Sequence, residues 1–274
     1  MMSPDLLFLL SLLVKMAVTA MFVVGAVYSA ERAGPVVGAM VATLPISAGP
    51  VYVFLSLDHG PAFIADSALA SLVVNAANCL FAFVYARMAQ RRGLLPSLAA
   101  AFAAWVTLAA LSRLVPWTTA SAFAFNAVVL ATCLAAGDRL RHVRMPRARR
   151  QWYDIPMRAG MVALLVASVV GLSTRVGPTI TGMLAVFPIV LLSLVLILHP
   201  RIGGPATGAV LANSMLGLVG FSLTCVTARL LVVPLGTAAG LGAALAVSVA
   251  CNLAFWWWRA GRHLRRLKPS SSPP

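Results

Sequence analysis

The stretch "ERAGPVVGAMVATLPI" (residues 31–46) returns 143 residues later as "TRVGPTITGMLAVFPI" (residues 174–189). Seven of the sixteen positions are identical: Arg32/Arg175, Gly34/Gly177, Pro35/Pro178, Met40/Met183, Ala42/Ala185, Pro45/Pro188 and Ile46/Ile189. The match runs past the motif. Lys15 aligns with Arg158 at the same offset, and the "GPA" at 60–62 meets the "GPA" at 204–206 after a one-residue shift. A further slip brings "AR" at 86–87 onto "AR" at 228–229. These matches predict an internal repeat of the chain.

The surroundings of the motif say where it sits. The chain has 274 residues, of which 61% are hydrophobic and only 10% charged, against about 25% charged in a soluble domain. Apolar runs such as "MVALLVASVVGL" recur without strand-like alternation. Backbone in lipid must satisfy itself, and runs of this length do so as helices. The sequence therefore predicts an all-α, polytopic transmembrane helical bundle. Spans are expected near 6–30, 35–57, 62–86, 94–112, 117–137, 156–173, 178–198, 206–228 and 234–258, about nine in all. The breaks between them carry Gly-Pro, Pro or charge, as in "LDHGP", "RRGLLP" and "HPRIGGP".

The net charge of +15 would point to nucleic acid in a soluble chain. Here the basic residues cluster in the connections, where they set topology, and no nucleic-acid partner is expected. With "RLRHVRMPRARR" (139–150) placed in the cytoplasm, 17 of the 21 Lys and Arg fall inside. Arg113, Arg175 and Arg229 fall outside, and Lys15 lies in the membrane. This predicts a multi-pass protein of a bacterial inner membrane, N-terminus outside and C-terminus cytoplasmic. The first span is expected to be retained, because "MMSPD" lacks a basic n-region and Lys15 interrupts the apolar run.

Five spans separate the two copies of the motif. An odd number reverses direction, so the repeat is expected to be inverted. The expected organisation is a first membrane repeat (1–115), a linker span with a basic cytoplasmic loop (116–155), a second membrane repeat (156–258) and a basic cytoplasmic tail (259–274). Inverted repeats about an axis in the membrane plane are common in secondary transporters.

The run Gly182-Met-Leu-Ala-Val-Phe187-Pro188 resembles the Gly-hydrophobic-hydrophobic-x-x-Phe-Pro segment of the small GlpM-like inner-membrane proteins. Gly38 to Leu44-Pro45 resembles it with one extra residue. Those proteins are four-span chains of about half this length. The resemblance implies a fused, inverted pair of such units and brings no mechanism with it.

Several residues are candidates for function. Gly34-Pro35 and Gly177-Pro178 each open a span, placing a helix N-terminus beside Arg32 or Arg175. Such an end attracts anions. Pro45 and Pro188 fall mid-span, where proline breaks the hydrogen-bond ladder and serves as a hinge or kink. Lys15 is an intramembrane base, and Asp66 is an acid one turn into the third span, expected to pair with Lys15 or Arg175 or to relay protons. Asn75, Asn78 and Asn213 are expected to hydrogen-bond between helices, and Gly236-x-x-x-Gly240 to pack helices closely. The four cysteines lie inside apolar runs and form no Cys-x-x-Cys pair, which indicates packing residues. No hydrolase, nucleotide-binding or zinc-protease motif is present, so no enzyme activity, cofactor or metal is expected. The expected partners are the lipid bilayer, anionic headgroups at the basic loops, and a small-molecule or ion substrate. The sequence points to a small secondary transporter or channel, with a small anion as the candidate solute, and alternatively to a non-transporting scaffold or assembly subunit.

Overall fold

The structure, a computed structural model, describes residues 4–32, 47–143 and 151–266. Every regular element among them is helical: α1 (Pro4–Arg32), α2 (Ala48–Asp58), α3 (Pro61–Met88), α4 (Leu94–Ser112), α5 (Thr119–Ala136), a 3-10 turn (Asp138–His142), α6 (Asp154–Ala185), α7 (Ile189–Leu235) and α8 (Thr237–Arg266). Among the described residues, six helices are long and apolar enough to cross a membrane: α3, α4, α5, α6, α7 and α8 as far as Ala254. The apolar part of α1, Leu10–Ala26, is shorter, and α2 has eleven residues. This is a multi-pass membrane protein with an all-helical fold.

Two of these helices are not single rods. A straight helix of 47 residues would be about 70 Å long, more than twice the hydrocarbon core. α7 is divided at Gly203, whose backbone adopts φ 78° and ψ 168°. α6 is divided in the same way at Gly177, with φ 74° and ψ 174°. Only glycine takes up these angles without strain. Each stands just ahead of a proline, Pro178 or Pro205, which fits an opening helical turn because its missing N–H is not needed there. Both breaks fall where the sequence places a boundary between spans. Elsewhere helices open on Gly60 followed by Pro61, on Gly93, and on Thr118, which forms a reciprocal cap with Ser121.

α3 occupies the centre. About 72% of its apolar window is buried, against 22% for each of α4, α5 and α8. It packs on α7, α4, α6 and α5, while α1 lies along α6 and α8 returns along α7. One core cluster gathers Phe81 and Tyr85 of α3, Trp105 of α4, and Leu211 and Met215 of α7. A second gathers Val23, Val51 and Leu55 of α1 and α2 with Val162 and Val166 of α6. Of the two glycines expected to pack helices closely, Gly240 does so, a Cβ there standing 2.5 Å from Val232 Cα, whereas Gly236 has nothing within 4 Å of an added Cβ and instead ends α7 with φ 81°. Cys79, Cys133 and Cys225 are buried and unbridged, as packing residues should be.

Candidate functional site

A row of small polar side chains runs down α3: Ser67, Ser71, Asn75 and Asn78. Spacings of four, four and three put them on one helical face. All four are buried. Polar groups withdrawn from both water and lipid need partners, and this row finds them in the backbone of its neighbours.

The upper part of the row meets the short segment between Gly177 and Ala185. Ser67 Oγ donates to Pro178 O at 3.1 Å, and Ser71 Oγ donates to Gly182 O at 2.7 Å. Because the Ser71 hydrogen is committed there, the Tyr52 hydroxyl, 2.7 Å away, is the donor to Ser71. The approach of the two backbones is close: a Cβ on Gly182 would lie 2.1 Å from Ser67 O.

The segment then stops. Val186 and Phe187 leave the helix and Pro188 stands at the cap position of α7 with φ −73° and ψ 44°. Pro188 is thus at a full interruption rather than a kink in a continuous helix. A helix end leaves its last carbonyls without partners. Asn78 Nδ2 donates to one of them, Val186 O, at 2.8 Å. Trp105 Nε1 of α4 holds Asn78 Oδ1 at 2.8 Å. Phe187 is wedged against Trp105 and Phe102, with ring centroids 5.3 and 5.8 Å away.

Midway along α3 the partners change to α5 and α7. Asn75 Nδ2 donates to Leu218 O and to Ser222 Oγ, both at 3.0 Å. Ser222 Oγ lies 3.1 Å from Asn126 Oδ1 and 2.9 Å from Leu218 O. Asn126 Nδ2 donates to Leu72 O. Asn75, Asn78, Asn126 and Ser222 are therefore ties between helices, as expected for the first two. Asn213 instead bonds Arg141 O at 3.3 Å and Ala209 O at 2.9 Å.

Ion pairs stand away from this layer. Lys15 Nζ meets Asp58 Oδ2 at 2.6 Å, tying α1 to the end of α2. Arg201 forms two bonds to Asp154, at 2.5 and 2.8 Å, tying the end of the first segment of α7 to the start of α6. Its guanidinium also lies 5.1 Å from the centre of the Tyr153 ring. Arg229 meets Asp66 at 2.6 Å. His59 and Ser173 are 2.8 Å apart, and Tyr85 and His199 are 2.5 Å apart.

The residues singled out from the sequence are thus distributed, not convergent. Lys15 pairs with Asp58 and Asp66 with Arg229, which corrects the expected pairing of Asp66 with Lys15 or Arg175. The reason is position: Asp58 at the end of α2 faces Lys15, while Asp66 is exposed and meets the late part of α7. Arg175 is exposed, two residues ahead of the Gly177-Pro178 junction. Arg32 closes α1, and Gly34, Pro35 and Pro45 lie outside the described residues. Ser67, Ser71, Tyr52, Trp105 and Ser222 were not anticipated; the 4-4-3 spacing of Ser67, Ser71, Asn75 and Asn78 inside one apolar run was the signal available for the first two.

No protein-family model matches the chain, and no curated protein or solved structure matches it.

Proposed function

We propose that the protein is a secondary transporter or channel built from two inverted halves, a fused pair of GlpM-like four-span units, in the inner membrane with its N-terminus outside. The observation that carries this is the interrupted helix at 178–188, docked through its open carbonyls on the polar row of buried α3. Helices broken at mid-membrane are the usual site of solute binding in such transporters. The inversion draws support from the duplicated motif and from the ion pairs. Asp58 and Arg201 are 143 residues apart, the same offset that relates Lys15 to Arg158. Each ties the end of a short helical segment to the first helix of its half, Asp58 through Lys15 and Arg201 through Asp154, with the sign of the pair reversed. Packing of α1 on α6, and of α3 on α7, is the pairing that counterparts about a two-fold axis would make. On the charge count the Lys15–Asp58 pair lies towards the outside and the Asp154–Arg201 pair towards the cytoplasm, so the two ends are held shut by separate locks.

The proposed solute is a small anion. Arg175 stands exposed beside the helix start at Pro178, and such a start favours negative charge by about 0.3–1 kcal/mol when exposed. Anionic headgroups are the proposed partners of the basic loops. The test is uptake of chloride, nitrate, phosphate and acetate into proteoliposomes. Arg175→Ala is expected to lower apparent affinity for the transported anion several-fold from the outer side, while Arg175→Lys retains most of it. A scaffold is the second reading, favoured by the capping of Pro178 O, Gly182 O and Val186 O by α3, as in a static joint. Absence of flux for every anion from correctly inserted protein favours the scaffold.

A further inference from the structure

Val162, Leu165 and Val169 lie on one face of α6 and are buried. Arg158 begins that face, four residues ahead of Val162. Where the apolar pattern calls for a hydrophobic side chain, the chain places a guanidinium. Arg158 is half-buried, and its Nε is covered and bonded to nothing among the described residues. The ion pairs among those residues leave it out. Arginine does not shed its proton to escape this, and a covered charge without a counter-charge is costly.

The carboxylate one turn away on the same side of α6 is already taken. Both oxygens of Asp154 are bonded by Arg201, at 2.5 and 2.8 Å, and Oδ2 also accepts from Gln151 N at 3.0 Å. Two arginines therefore flank one aspartate, and one positive charge is left over. The other half of the chain shows the balanced form. Lys15, aligned with Arg158, meets Asp58 one to one. At the position aligned with Asp58 stands Arg201, so the second half brings two cations where the first brings an ion pair.

The surroundings name the class of anion. The cluster opens to the surface, with the Asp154 and Arg201 side chains 15% and 17% exposed. Trp152 and Tyr153, 84% and 42% exposed, stand at the start of α6, and such rings collect at the depth of lipid headgroups. Arg158 is four residues, about 6 Å, further along the helix, within the thickness of one headgroup layer. A planar guanidinium matches the oxygens of a phosphate two at a time.

We infer that Arg158, beside the Asp154–Arg201 pair, binds an anionic phosphate group, supplied by a phospholipid headgroup or by free phosphate. This deepens the headgroup reading above, moving the contact from the loops to a built position on α6. Bound there, the phosphate adds the negative charge that the second half lacks.

The test is thermal unfolding of the purified full chain in neutral detergent, titrated with phosphatidylglycerol, phosphatidylcholine, sodium phosphate or sodium chloride at constant ionic strength. The wild type is expected to gain stability saturably with phosphatidylglycerol or phosphate, beyond phosphatidylcholine and chloride. A gain from phosphatidylglycerol alone assigns the lipid as the source; a gain from phosphate alone assigns the free ion. Arg158→Gln should weaken the apparent affinity roughly tenfold to a hundredfold, the worth of a charge-assisted contact. Arg158→Lys keeps the charge without the planar fork and should weaken it less. With neither phosphate source present, Arg158→Gln should unfold no earlier than the wild type, because it deletes a charge that has no partner. Earlier unfolding there overturns the inference in favour of a structural arginine. No gain from either source overturns it as well, leaving Arg158 as a second partner for Asp154 once Arg201 lets go. A phosphatidylglycerol gain undiminished in Arg158→Gln refutes this site and leaves the headgroup reading of the loops intact. A phosphate gain lost in Arg158→Gln, with no preference for phosphatidylglycerol over phosphatidylcholine, refutes the headgroup reading and keeps the site. Should Arg158→Gln fail to insert, Arg158→Lys decides, and an affinity equal to that of the wild type overturns the inference.

Discussion

α3 and α4 are consecutive in the chain and nearly equal in apolar character, yet about 72% of the apolar window of α3 is buried against 22% for α4. In water the more apolar helix would go inside. In a bilayer the lipid is as apolar as a protein core, so apolar content does not separate the two positions. What separates them is the polar row. α3 carries Ser67, Ser71, Asn75 and Asn78 on one face, each bonded to another helix or to backbone beyond its own. α4 directs Trp105 to Asn78 and leaves residues such as Thr107 and Val106 exposed. The buried helix of this protein is recognised by what it must hide from lipid.

The sharpest way to break that comparison is at Gly182. A Cβ there meets backbone, Ser67 O at 2.1 Å, which cannot rotate away. Gly182→Ala is expected to destabilise by about 3 kcal/mol, at the upper end of overpacking effects, read as a lowered unfolding temperature in detergent. Gly217→Ala, with nothing within 4 Å of the added atom, should stabilise by up to about 1 kcal/mol through helix propensity alone. Equal effects at the two sites would mean that the short segment does not lie against α3.

A smaller effect is expected at Asn78. Replacing it by Leu removes the partner of both Val186 O and Trp105 Nε1. Interhelical hydrogen bonds in membranes are worth about 0.6 kcal/mol on average and up to about 1.7, so the two together should cost roughly 1–2 kcal/mol. The exposed Thr107 of α4 replaced by Leu should change stability by less than about 0.5 kcal/mol. Unfolding midpoints of the two variants, set side by side, give the comparison a magnitude.

The class of the fold was legible in the sequence because lipid imposes it: the absence of charge over long runs leaves only helices. The junctions were legible too, since Gly177-Pro178 and the Gly203–Pro205 stretch carry the residues that such turns require. The interruption at 186–188 was half legible. Pro188 marks it, but a lone mid-span proline reads equally as a kink, and only the partners of Val186 O separate the two. Partners of charge were the least legible. Lys15 finds Asp58, and Asp66 finds Arg229, 163 residues away. Such pairings depend on which ends of helices meet, and no local pattern records that. The polar row of α3 lay open to reading as a spacing, yet its meaning comes from the carbonyls of a different helix.

The most direct test of the inverted halves is the sidedness of two turns that carry equivalent positions. Single cysteines placed in the 58–60 turn and in the 199–203 turn, in a chain otherwise free of accessible thiols, are labelled with a membrane-impermeant maleimide in intact cells and again after permeabilisation. Inverted halves require residue 58–60 to label in intact cells and residue 199–203 only after permeabilisation. Labelling of both from the same side would contradict the inversion, and with it the pairing of Lys15–Asp58 and Asp154–Arg201 as locks at opposite ends.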